Sequence, residues 1–213
     1  MAKRILFQGD SITDCGRTAP NGGFGIGYPC FVKAQLEYEY PGEYEFINAG
    51  ISGNRVVDLY ARIKADFINI APDYASIYIG VNDTWHEIEH RNGVDTEKFE
   101  KIYTMLLDEV KAACPDIKLM IMTPFVLEGP ATCNTEEIPN KFKLFKTDVA
   151  EKAGVAKKMA KKYGLPCIEL QPIFDEACTR APVAHWTGDG VHPTSAGHEM
   201  IKRHWIAVFE QMI

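Results

Sequence analysis

The sequence predicts an α/β fold, a three-layer α/β/α sandwich around a five-stranded parallel sheet. Two observations lead there. Short apolar, partly β-branched runs alternate with longer helix-like stretches along the whole chain. Such alternation builds right-handed βαβ units and one parallel sheet. The runs are also largely apolar and bounded by Gly, Pro or Asp, as buried parallel strands tend to be.

Five runs fit the strands: RILFQ at 4–8, YEFINA at 44–49, YASIYIG at 74–80, IKLMIMT at 117–123 and LPCIEL at 165–170. Helical patterns occupy 27–40, 55–69, 95–113, 141–163 and a last stretch from about 194. Pro41-Gly42, Ala71-Pro72-Asp73 and Gly164-Leu165-Pro166 punctuate their ends, because glycine and proline break both periodicities. The length of 213 residues predicts one domain spanning 1–213.

Composition excludes several classes. The net charge of −6 offers no basic footprint for nucleic acid, and the lysines of KAGVAKKMAKK, 152–162, read as the wet face of a helix. No run reaches membrane-spanning length. The apolar run at 5–7 is too short for the core of a signal peptide. The six cysteines include no C-x-x-C pair, and without a leader they read as reduced thiols of a cytoplasmic protein.

In open parallel sheets, sites form at the carboxyl ends of the strands. Here GDSIT follows the first strand, GISGN (50–54) the second, GVND (80–83) the third and MTPF (122–125) the fourth. Ser11 of FQGDSITD is a candidate nucleophile. It is equally a candidate helix N-cap, as are Thr13 and Asp14. A serine hydroxyl needs a general base, and a histidine base needs an acid to fix its tautomer. DGVHPTSAGH (189–198) offers both: a turn there can fold Asp189 onto Nδ1 of His192 and leave Nε2 facing a serine. The other reading is a surface loop with an Asx turn. Donors for a tetrahedral oxyanion are available from backbone N–H groups at the start of the helix after the first strand, from the turn at Gly53 and from the Asn82 amide. Taken singly, Gly53 reads more readily as a turn glycine and Asn82 as a loop cap.

The four blocks GDS at 9–11, Gly53 in GISGN, GVND at 80–83 and DGVHP at 189–193 resemble those of the SGNH hydrolases, also called GDSL esterases. The resemblance spans nearly the whole chain and implies a flavodoxin-like sheet. It implies Ser11 as nucleophile, His192 as base and later acid, and Asp189 as the residue orienting His192. It also implies an oxyanion hole of the Ser11 and Gly53 N–H groups with the Asn82 side chain. The G-x-S-x-G elbow of another hydrolase class is absent. Longer strings, including GDSITDCGR, NAGISGN, IGVNDTW and GVHPTSAGHEMI, are similar to the intracellular acetyl xylan esterases of this superfamily. That implies hydrolysis of acetyl esters on xylo-oligosaccharides or related carbohydrates without metal or organic cofactor. A general short-chain or lysophospholipase-type esterase is the runner-up. A homo-oligomer is compatible with the sequence, which does not set the number of subunits.

Two motifs compete. HEIEH (86–90) fits H-E-x-x-H and extends to HEIEHRNG, a zinc metalloprotease pattern. Its third histidine would fall at Thr96, and Asn82-Asp83 before it and Asn92-Gly93 after it leave only a short helix. Cys15, one helical turn past Ser11, is a rival nucleophile but reads as a small buried residue. A catalytically silent carbohydrate-binding module has no use for Asp189 with His192. The loops 17–27, 128–140 and 185–190 are polar or glycine-rich, and so unlike the apolar trough of a lipase. Trp85 and Trp186 flank the catalytic blocks and are the candidate sugar platforms.

Overall fold

A computed structural model describes residues 2–19 and 23–213; positions 20–22 of the loop at 17–27 lie outside the described residues. The chain runs β1 (Lys3–Gly9), α1 (Ser11–Asp14), α2 (Tyr28–Glu39), β2 (Tyr44–Asn48), α3 (Val56–Ala61) and α4 (Ile63–Asp66). A 3₁₀ turn at Ile68–Ile70 leads into β3 (Tyr74–Tyr78), α5 (Val81–His90), α6 (Thr96–Ala113) and β4 (Lys118–Met122). Then follow α7 (Lys141–Tyr163), β5 (Cys167–Ile168), α8 (Leu170–Cys178), α9 (Val183–Trp186) and α10 (Ser195–Phe209).

The five strands form a parallel sheet in the order β2-β1-β3-β4-β5, the flavodoxin-like arrangement that the resemblance implies. Successive strand residues enter different cores, because side chains alternate across a sheet. Ile5 and Phe7 join one apolar cluster with α2, α8 and α10. Leu6 joins the other with α3 and α6. The expected two-sided burial holds for β3 and for most of β1 and β4, whereas the edge strand β2 is only partly buried, with Glu45 exposed. The strand order reverses between β1 and β3, and the crevice above their carboxyl ends is where a site belongs.

Four expectations need correction. The helix expected over 55–69 is broken: Arg62 (φ −109°, ψ 11°) separates α3 from α4, and Phe67 (φ −141°) ends α4. The strand expected over 165–170 shrinks to two residues. Its ladder with β4 begins at the carbonyl of Pro166, which has no N–H to give, and α8 begins at Leu170. α8 itself was hidden inside and behind that apolar run. Finally, Lys152 is not on a wet face. It is fully buried, and its ammonium donates to Asp148 Oδ1 (2.9 Å) and Thr96 Oγ1 (3.1 Å). The other lysines of that stretch, Lys157, Lys158, Lys161 and Lys162, are exposed.

A buried ammonium that has partners is tolerated, but deleting it strands those partners. Lys152→Ala is therefore expected to lower the unfolding free energy by about 3 kcal/mol. Lys157→Ala, on the exposed side, should change it by no more than about 0.5 kcal/mol. Urea denaturation of the two variants compares them.

Candidate active site

The site begins where β1 ends. Asp10 caps α1, its Oδ1 accepting from the Ile12 N–H at 3.0 Å. The capping role that Ser11, Thr13 or Asp14 could have filled thus falls to a residue not considered for it. Ser11 is left at the first helical position with its side chain free for other work. The helix stops after one turn, because Cys15 adopts a left-handed φ of 39°.

Two further loops close onto this turn. Asp14 Oδ2 accepts from the backbone N–H of Ser52 (3.0 Å) and from its hydroxyl (2.7 Å). A Cβ at Gly50 would lie 2.2 Å from the Asp14 backbone nitrogen, so only glycine permits the approach. Gly53 turns the chain at φ +81°, a conformation that favours glycine. From the third strand, Asn82 is buried near the start of α5, and its Nδ2 donates to the carbonyl of Asn54 at 3.1 Å. One amide hydrogen is thereby committed and the other can serve a ligand. Asp83 fastens the same two loops, its carboxylate accepting from the Val56 N–H at 3.1 and 3.2 Å. Asn54 and Asp83 lie within blocks the sequence flagged, but their roles depend on loop geometry that spacing does not reveal.

The fourth element is the turn before α10. Asp189 Oδ1 accepts from the backbone N–H groups of Val191 (2.9 Å) and His192 (2.8 Å), while Oδ2 lies 2.7 Å from His192 Nδ1. His192 Nε2 lies 2.9 Å from Ser11 Oγ. The carboxylate, imidazole and hydroxyl form one line of hydrogen bonds, with each ring nitrogen facing the partner expected for it.

The electrostatics follow the contacts. Partial burial alone would raise Asp189, but the hydrogen bonds from the His192 ring and from two backbone N–H groups outweigh it and hold its pKa at about 2. The hydrogen bond to that carboxylate, against the effect of burial, raises His192 above its ordinary value. Asp10, fully buried, is pushed up to about 7 by loss of hydration, opposed by its bond to Ile12 and by His192. Its Oδ2 has no hydrogen-bond partner among the described residues. Neither Asp10 nor Asp14 competes with Asp189 for Nδ1.

The two tryptophans part company. The ring of Trp85 stands 5.9 Å from that of His192 and packs edge-on against Phe145. Trp186, on α9, packs partly into the core with the Arg180 guanidinium 5.4 Å from its ring and His185 at its edge. The rival motifs are accounted for by their contacts. α5 is longer than expected, because Asn82 and Asp83 lie within it instead of ahead of it, and His86 and His90 stand side by side with ring centroids 5.8 Å apart. Glu87, the base a metalloprotease would need, accepts from the Gly93 N–H beyond the end of the helix, and Glu89 pairs with Lys141. Among the described residues no three histidines, cysteines or acids gather as a metal site. Cys15 Sγ lies 3.5 Å from His198 Nε2, whose Nδ1 accepts from the Tyr28 N–H. Burial keeps that thiol protonated, with its pKa raised. All six cysteines are free, and among the described residues no helix is long and apolar enough to cross a membrane.

A flavodoxin-like sheet with a serine, a histidine and an aspartate joined by hydrogen bonds at its strand ends is the arrangement a hydrolase of the serine type requires. The profile of the GDSL-like lipase/acylhydrolase family matches residues 7–200. The chain belongs to that family and is a carboxylic ester hydrolase. It is 34% identical over 212 residues to an acetylxylan esterase from Geobacillus stearothermophilus, covering 94% of this chain and 91% of the other. The crystal structure of Axe2, an acetylxylan esterase from the same organism, superposes with a TM-score of 0.80 at 33% identity, covering 96% of this chain and 93% of that one. A GDSL-like lipase from Parabacteroides merdae superposes with a TM-score of 0.87 at 32% identity, covering 98% and 96%. Catalytic mutants of Axe2 have been solved at a serine, and at an aspartate and a histidine three residues apart in its chain. Asp189 and His192 have that spacing.

His192 can take a proton from Ser11 only when neutral. Its pKa is raised, so kcat/KM is expected to fall as pH drops through a midpoint above the ordinary histidine value of about 6.5. Asp189→Asn removes the main cause of the rise. The midpoint should then move to lower pH, and kcat should fall by about 10⁴. A pH–rate profile of both proteins measures the two effects.

Proposed function

We propose that Ser11, His192 and Asp189 act together to remove acetyl groups from xylo-oligosaccharides or related carbohydrates. The observation that carries the reading is the unbroken line of hydrogen bonds from the Asp189 carboxylate through His192 to Ser11 Oγ. Ser11 Oγ attacks the ester carbonyl carbon while its proton passes to His192 Nε2. The carbonyl oxygen becomes an oxyanion that accepts from the N–H groups of Ser11 and Gly53 and from the second amide hydrogen of Asn82. Collapse breaks the bond to the sugar oxygen, which leaves with the proton from Nε2. Water, deprotonated by His192, then attacks the acetyl-Ser11 ester. A second tetrahedral intermediate releases acetate and returns the proton to Ser11. Asp189 stays ionised throughout, which its low pKa favours, and balances the transient imidazolium.

The carbohydrate part of the reading is supported by the similarity to acetylxylan esterases. The Trp85 ring beside His192 also supports it, since flat aromatic faces suit sugar rings. Trp186 is the second proposed platform, but its position over Arg180 gives it less support. The proposed location is the cytoplasm, which the six free thiols favour and where imported oligosaccharides would be the substrate.

Ser11→Ala is expected to abolish ester turnover while leaving the circular dichroism spectrum unchanged; near-normal kcat would remove the mechanism. Across a series of nitrophenyl esters, kcat/KM should be highest for acetate, and acetate should be released from acetylated xylo-oligosaccharides. A preference for octanoate would overturn the short-acyl reading. Fast acetate-ester hydrolysis with no release from any acetylated sugar would leave a general short-chain esterase.

A further inference from the structure

Arg62 lies outside the four blocks, touches the segments that carry Ser11 and Gly53, and reaches Asn82 through Asn54. Its side chain is 14% exposed. Nε donates to Asn54 Oδ1 at 2.8 Å, and Nη1 donates to the carbonyl of Ala49 at 2.8 Å and to Asp66 Oδ2 at 2.9 Å. Nη2 reaches the carbonyl of Gly9 at 3.2 Å. Gly9 ends β1, two residues before Ser11. Ala49 follows β2, and Asn54 follows Gly53. The Asn54 carbonyl in turn accepts from Asn82 Nδ2 at 3.1 Å. One guanidinium therefore ties the end of the first strand, the end of the second and the turn that orients the Asn82 amide. The break between α3 and α4 at this residue is where the helix gives way to that arrangement.

We infer that Arg62 is a positioning residue, which fixes the N–H groups of Ser11 and Gly53 and the Asn82 amide relative to one another. The inference rests on the oxyanion hole described above. Donors act on the transition state only when held at hydrogen-bond distance from where the charge develops. The guanidinium suits the task because its five donors lie in a rigid fork and serve several acceptors at once, whereas an ammonium concentrates its donors on one nitrogen. Arg62 itself touches no reacting atom.

The test is a double-mutant cycle on hydrolysis of nitrophenyl acetate. Arg62→Ala and Arg62→Lys are each combined with Asn82→Ala, and all are assayed below the melting temperature that each shows by circular dichroism. Displacement of the donors by about 1 Å predicts a loss in kcat of about 10²-fold, with KM unchanged, for both Arg62 variants. In the Asn82→Ala background the loss should be smaller, because part of what Arg62 positions is already gone. If Arg62→Ala does not fold, Arg62→Lys carries the same cycle. The inference is overturned if Arg62→Lys keeps the wild-type kcat, if the effect falls on KM, or if the two losses multiply fully. Should Asn82→Ala alone leave kcat intact, the oxyanion hole fails and this inference with it. A loss in Asn82→Ala without one at Arg62 refutes the role of Arg62 alone.

Discussion

Five parallel strands send all their carboxyl ends to one edge, and everything chemical in this protein depends on that constraint. Parallel pairing requires each strand to return through a crossover, so the loops leaving β1, β2 and β3 meet although tens of residues separate them. Each brings a short polar block that the sheet has no use for. Ser11, Gly53 and Asn82 become neighbours without any contact between them in sequence. The turn before α10 then lays Asp189 and His192 over the same edge.

The loops are tied together by bonds between side chains and backbone groups. Asp14 takes the Ser52 N–H, Asp83 takes that of Val56, and Asn82 gives to the Asn54 carbonyl. Each of these side chains comes from a different segment than the backbone it binds. A rigid site built on loops needs such cross-bracing, because glycine-rich turns such as that of Gly53 supply close approach at the expense of stiffness. Asp189 follows the same rule locally. One of its oxygens is occupied by the backbone of its own turn, which fixes the other against the imidazole.

Much of this was legible in the sequence, for definite reasons. The strands were visible because largely buried strands leave short, mostly apolar runs between turn residues. Each polar block directly follows a strand or precedes the last helix, but it was their combined resemblance to the SGNH hydrolases that singled out the linked residues. What could not be read was context. Lys152 looks like its exposed neighbours until Asp148 and Thr96 are seen beneath it. The cap on α1 is Asp10 instead of Ser11, a choice made by backbone torsions and not by residue type. The run at 165–170 has strand composition, yet Pro166 and the early start of α8 leave two residues for the ladder. Trp85 and Trp186 flank their blocks alike in sequence, but only Trp85 is turned toward His192.

Ser11 and His192 are 181 positions apart, joined by one hydrogen bond of 2.9 Å. A contact of such separation closes a very long loop, whose entropy is recovered only when the intervening elements have already condensed. A species with a complete sheet but without this contact would lack the base proposed for its serine. The hydroxyl in that species would be as inert as one in water. Under the proposed mechanism, esterase activity in this architecture therefore reports the native state and not mere compactness.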